Sequence, residues 1–110
     1  MTNIAKNSTP RVKIIQKLYS KILNPDEKII YNKSQYKKFI KDVTEGTIER
    51  KELIEETIEK FLKTDIDLKR TDKLLKIMLY AAVFELLFKQ NNSKNIIINE
   101  YIKTAEFFLE

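Results

Sequence analysis

Four cations near the start of the chain, Lys6, Arg11, Lys13 and Lys17, have the clearest chemistry to offer. Arg11 falls in the first turn expected of a helix, where free backbone N–H groups also attract anions, so the set points to phosphate contact. Lysine is a point charge without the planar fork of arginine. Such a surface attracts a polyanion's backbone and leaves base reading to other residues. The competing reading is a solvated lysine face with no ligand.

The rest of the sequence narrows the chemistry by exclusion. With no cysteine and no histidine among 110 residues, disulfides, thiolate metal sites, cysteine nucleophiles and imidazole bases are all absent. No cofactor is implied. Hydrophobic residues make up 43% of the chain and charged residues 34%, which suits one core and is too little for two ordinary domains. One glycine, Gly46, and two prolines leave little material for hairpin turns, so the expected class is all-α. The net charge of +5 is unevenly placed. Residues 1–41 hold 10 basic and 2 acidic side chains, residues 42–67 hold 4 and 9, and residues 68–110 hold 7 and 5. A cationic first third fits a polyanion such as nucleic acid. The opening "MTNIAKNSTP" lacks the apolar stretch of a signal peptide, and the most apolar run, Leu74 to Phe88, is short and contains Lys76 and Glu85. A cytoplasmic protein with no membrane span is the expectation.

The elements that must position these residues follow from periodicity. Residues 1–9 read as a flexible basic tail and residues 10–110 as a single helical domain. Thr9-Pro10 is a cap followed by proline at the first helical position, and Asn24-Pro25 ends the same helix. Its apolar stripe is Val12, Ile15, Leu18, Tyr19, Ile22 and Leu23, with Lys13, Lys17 and Lys21 opposite. Residues 25–33 stay unassigned. Ser34 is the candidate cap of a second helix with Tyr36, Phe39, Ile40 and Val43 inward, where Gly46 either ends the helix or permits a close crossing. A third helix, about residues 47–63, is expected to bury Ile54, Ile58, Phe61 and Leu62 beneath an acidic surface. Thr71 or Asp72 caps "KLLKIMLYAAVFELLFK", which is apolar on nearly every side and should be the central helix. In "IIINEYIKTAEFFLE" the inward stripe is expected to be Ile98, Tyr101, Ile102, Ala105, Phe108 and Leu109, leaving Ile96 and Phe107 uncovered.

Three segments, "QKLYSKIL", "YAAVFELL" and "INEYIKTAEFF", resemble in order and spacing the signature segments of the NusB family of bacterial transcription antitermination factors. Those segments read approximately Q-x-L-Y, L-R-x-A-x-Y-E-L and I-N-E-x-x-x-x-A-x-x-F. The resemblance runs from about Arg11 to Phe108, and I-N-E-Y is most similar to alphaproteobacterial members. It implies a helical bundle of two packed sub-bundles. It also implies a non-enzymatic function: binding the boxA RNA of ribosomal RNA leader transcripts jointly with NusE, a small-subunit ribosomal protein, so that RNA polymerase reads through terminators. Tyr19 then either touches RNA or NusE or joins the core, and Phe108 has the same two roles open to it. Phe84 and Glu85, matching Y-E, either face the partner edge or support the central helix, against a plain Glu85–Lys89 ion pair.

The chain also departs from the family pattern. Tyr80 stands where the family usually has Arg, and a dense arginine cluster before Tyr19 is replaced by Lys6, Arg11, Lys13 and Lys17. Members usually continue past the final Phe with a loop and helix similar to F-V-N-G-V-L-D, so the chain is expected to be C-terminally truncated relative to the family. Ile96 and Phe107 would be the seat of that helix, or of a second copy in a self-associating module with only non-specific RNA affinity. A NusB-like domain of an RNA cytosine methyltransferase would need a catalytic continuation, and a membrane-surface role would need Trp or Phe on the apolar side of the first helix.

Overall fold

The computed structural model describes residues 9–62, 67–89 and 91–109. These contain five α-helices: α1 Pro10–Leu23, α2 Lys37–Glu49, α3 Lys51–Leu62, α4 Lys73–Phe88 and α5 Lys94–Leu109. The expected tail lies outside the described residues except for Thr9.

Local chemistry sets the boundaries. α1 begins at Pro10, whose missing N–H would be unpaired there in any case, and stops where the Asn24 N–H reaches the Ser20 carbonyl. Asp72 caps α4 with its carboxylate, accepting from the N–H groups of Leu74 and Leu75 at 3.0 and 3.3 Å. Ser93 serves α5 in the same way, its Oγ accepting from the Ile96 N–H at 3.2 Å. Ser34 does not cap α2: Tyr36 precedes that helix, and Ser34 offers its carbonyl to the Lys37 N–H. The acidic third helix starts later than its sequence suggests, because α2 runs on through Thr47 to Glu49 and only Arg50 separates α2 from α3.

α4 is the centre. It packs against all four other helices, as its apolar circumference requires. α1, α4 and α5 form one mutually packed trio and α2, α3 and α4 another, so the two sub-bundles share α4 and are sewn together where α1 lies on α2. Ile14, Ile15, Val43, Ile54, Ile58, Ala81 and Ile97 are sealed in the common core. Gly46 is mid-helix and buried, and a Cβ there would collide with the ring of Phe84. Of the two roles open to Gly46, close crossing is the one the fold uses.

Several expected core assignments are corrected, among them Ile22, Leu23 and Tyr36, which are exposed rather than inward. Phe61 is 72% exposed although it continues the stripe of the buried Ile54 and Ile58, so the burial of α3 ends before its last turn. The α5 stripe is turned by about one residue: Ile97, Tyr101 and Thr104 are buried, whereas Ile98, Ile102 and Leu109 face outward. Polar bonding selects this phase. Tyr101 reaches an internal carboxylate, and the Thr104 hydroxyl donates to the Glu100 carbonyl at 2.8 Å, which lets a threonine be buried without an orphaned group.

Candidate nucleic-acid interface

Lys13, Lys17 and Lys21 recur every four residues, so they line one side of α1. That side faces the segment between α1 and α2. Together they bound a groove of about 450 Å³ whose lining includes Lys28 from the segment and Lys37 from the start of α2. Five lysines share the groove with one acidic residue, Glu27. Two of the lysines hold the segment in place: Lys17 Nζ donates to the Ile30 carbonyl at 2.6 Å, and Lys21 Nζ to the Glu27 carbonyl at 2.7 Å. The Lys17 ammonium also lies 5.2 Å from the Tyr31 ring centroid. Tyr31 in turn donates to Glu45 Oε2 at 2.7 Å, and burial, reinforced by that carboxylate, pushes its hydroxyl above the ordinary tyrosine pKa. A segment without helix or strand is thereby fixed against α1. The side chains of Lys13, Lys28 and Lys37 make no hydrogen bond or ion pair among the described residues, so their charges line the groove uncompensated.

The opposite edge of α1 borders a second groove, with Tyr19 and Leu23 on one wall, Leu74 and Phe108 on the other and Asp72-Lys73 at one end. Tyr19 is 38% exposed rather than core. Phe108 is half-buried, with Phe107 edge-on against it at 5.0 Å. The two aromatic candidates from separate signature segments are thus brought together.

Arg11, Phe84 and Glu85 are placed inside, which corrects the phosphate role expected of Arg11 and, of the two roles open to Phe84 and Glu85, agrees with support of the central helix. Arg11 points into the bundle, where Nε and Nη2 donate to the two carboxylate oxygens of Glu85 at 3.0 and 2.7 Å. The side chains are 9% and 0% exposed. Tyr101 donates its hydroxyl to the same carboxylate, and burial first, then Glu85, holds that hydroxyl well above its ordinary pKa. Glu100 comes within 4.0 Å of Arg11 and Lys103 within 3.7 Å of Glu100, while the guanidinium stacks 5.1 Å from the Phe39 centroid. The Asn-Glu-Tyr segment of α5 and the Phe-Glu of α4 therefore meet at one arginine of α1. The Nε–Nη2 fork of Arg11 is taken by Glu85, and its burial keeps it from a phosphate at the surface. Phe84 and Glu85 are buried and present no partner edge, and Lys89 bonds Asp42 at 3.3 Å instead of Glu85.

Of the remaining candidates, Lys6 lies outside the described residues, whereas Lys13 and Lys17 are where α1 periodicity puts them. Ile96 is half exposed and Phe107 partly covered. Sequence reasoning did not single out Lys21, Lys28 and Lys37 as a site. Lys21 was legible from the four-residue spacing, but Lys28 and Lys37 converge only through the fold of the unassigned segment.

Among the described residues the chain is a five-helix bundle whose first helix is flanked by a lysine-lined groove and by a groove that holds Tyr19 and Phe108. Among protein families, the NusB family matches residues 2–109, and the chain belongs to it. Over 72 residues it is 31% identical to the transcription antitermination protein NusB of Caulobacter vibrioides, covering 66% of this chain and 48% of that one. It is 32% identical over 65 residues to the same-named protein of Mesorhizobium japonicum, covering 59% and 42%. It is 28% identical over 72 residues to that of Maricaulis maris, covering 66% and 45%. The chain spans about half the length of the curated relatives it matches. No solved structure gives a significant match.

Proposed function

We propose that the chain is a cytoplasmic, non-enzymatic RNA-binding factor in transcription antitermination, which engages boxA RNA of ribosomal leader transcripts together with NusE and promotes read-through by RNA polymerase. Family membership supports the antitermination role. The observation that carries the RNA-binding part is the pairing of Tyr19 and Phe108 on a groove next to the lysine face of α1. Single strands are held in this way, with bases on aromatic rings and phosphates on cations. Lysines attract the backbone without reading it, so discrimination rests on the aromatic groove and on NusE. Among the described residues no helix is long and apolar enough to cross a membrane, which is compatible with this role.

The test is transcription in vitro through a terminator downstream of boxA, with NusE and the other factors supplied. Addition of the chain should raise read-through on the boxA template, and Tyr19→Ala should remove the gain. Equal read-through with boxA scrambled would refute the proposal. One observation favours a second reading, self-association: Ile98, Ile102 and Leu109 form an outward apolar strip on α5. Sedimentation over a concentration series distinguishes a dimer from a monomer.

A further inference from the structure

The two grooves are not separate places. Gln16 and Ser20, one turn apart on α1, line both the aromatic groove and the lysine groove. The ridge between the grooves is therefore the width of one helix with its side chains, about 10 Å. Both ridge residues are exposed, uncharged and able to hydrogen-bond, and α1 has no acidic side chain anywhere from Pro10 to Leu23. An anionic strand crossing here meets no repulsion from the helix beneath it. On the far side, Lys28 and Lys37 are exposed and their side chains, with that of Lys13, are uncommitted among the described residues, while Lys17 and Lys21 fasten the intervening segment.

We infer that a single RNA strand whose bases stack in the Tyr19–Phe108 groove crosses α1 over Gln16 and Ser20 and lays its backbone in the lysine groove, with Lys28 and Lys37 as phosphate contacts. This rests on the RNA-binding reading and extends it to Gln16 and Ser20 as the crossing ridge and to Lys28 and Lys37, which lie outside the signature segments. The strapped segment 24–36 becomes part of the binding surface. Its fixation by Lys17 and Lys21 means that Lys28 is presented in place rather than ordered by the ligand. Glu27, the one acidic residue in the groove lining, is exposed.

The experiment titrates the intact chain with a fluorescent boxA single strand at several salt concentrations, comparing wild type, the double variant Lys28→Gln/Lys37→Gln and a control, Lys60→Gln/Lys94→Gln, whose exposed lysines lie outside both grooves. Each phosphate contact on a single strand adds about 0.7 to the salt slope, which is about 5-fold in affinity between 1 M and 0.1 M salt. The double variant should bind about 25-fold more weakly at 0.1 M salt, with a slope shallower by about 1.4, and the control should match wild type. A second variant, Gln16→Glu/Ser20→Glu, places two carboxylates on the ridge and should weaken binding while all the lysines remain. Wild-type binding with an unchanged slope in the double variant would overturn the crossing path and leave the RNA-binding reading intact. No binding by wild type, alone or with NusE, would overturn that reading itself. Binding to phosphatidylserine vesicles that outcompetes the RNA and depends on the same two lysines would assign the groove to a membrane surface instead.

Discussion

Replacing Arg11 with methionine tests whether the signature segments hold the fold together through one buried charge cluster. In the native bundle the Glu85 carboxylate, fully buried, accepts two guanidinium N–H groups and the Tyr101 hydroxyl. In Arg11→Met only the tyrosine remains. A hydrogen bond to a charged group contributes about 1.5–3 kcal/mol, and removing one member of a buried ion pair costs roughly 3–5 kcal/mol. Two lost bonds of the first kind give about the second figure, so the expected destabilisation is about 4 kcal/mol against a total of about 5–15 kcal/mol for a small domain. The penalty comes from leaving a charge uncompensated, so it should largely vanish when the cluster is removed as a unit. Arg11→Met/Glu85→Leu/Tyr101→Phe should come within about 1–2 kcal/mol of wild type, since apolar replacement of buried ion clusters is often neutral. Urea unfolding followed by circular dichroism at neutral pH measures all of these. A loss below about 1 kcal/mol for the single variant, or a triple variant no more stable than the single, would refute the reasoning.

Four further outcomes follow from the same structure. Gly46→Ala forces a methyl group into the Phe84 ring and should cost about 1–3 kcal/mol, read as a lower unfolding midpoint, with Phe84→Leu in the same chain recovering part of the loss. Tyr31, Tyr80 and Tyr101 are all held protonated by burial and by Glu45, Glu55 and Glu85 respectively, so their contribution is complete below the ordinary tyrosine value of about 10 and is lost as pH rises beyond it. Tyr31→Phe/Tyr80→Phe should flatten that alkaline fall in a pH series of melts. Asp42 has the opposite sign: its hydrogen bond from Lys38, aided by Lys89 and opposed by partial burial, lowers its pKa, so this contribution is present above about 3.9 and fades as pH falls, an effect Asp42→Asn should remove. Tyr19→Ala should weaken RNA binding by about 1–3 kcal/mol, the value of one stacked base, with little change in the melt because the ring is only partly covered.

The parts of the fold legible in the sequence are those dictated by local chemistry. Thr9-Pro10, Asn24-Pro25 and Asp72 mark helix ends through groups near in sequence, and the apolar circumference of α4 announces a helix surrounded by others. The phase of α5 was not legible, because Ile96, Ile97 and Ile98 offer three adjacent apolar choices and the choice falls to Tyr101 and Thr104, whose polar partners lie elsewhere or one turn back. Arg11 misled for a similar reason. A lone arginine in a lysine-rich helix reads as surface, and only the convergence of residues 74 positions apart puts it opposite Glu85. The resemblance located the important segments without revealing their work: Glu85, Glu100 and Tyr101 serve the interior, whereas Tyr19 and Phe108 remain on a groove. The loop lysines were hidden because residues 25–33 carry no periodic signal.

The central claim, that this domain holds single-stranded RNA through a few lysine–phosphate contacts and gains specificity with NusE, is tested most directly by the salt dependence of boxA binding with and without NusE. About 3–4 phosphates neutralised on a single strand predict that log affinity falls with log salt at a slope of roughly −2 to −3, with weak binding by the chain alone and tighter, boxA-selective binding when NusE is present. A slope near zero, or equal affinity for an unrelated RNA in the presence of NusE, would contradict it.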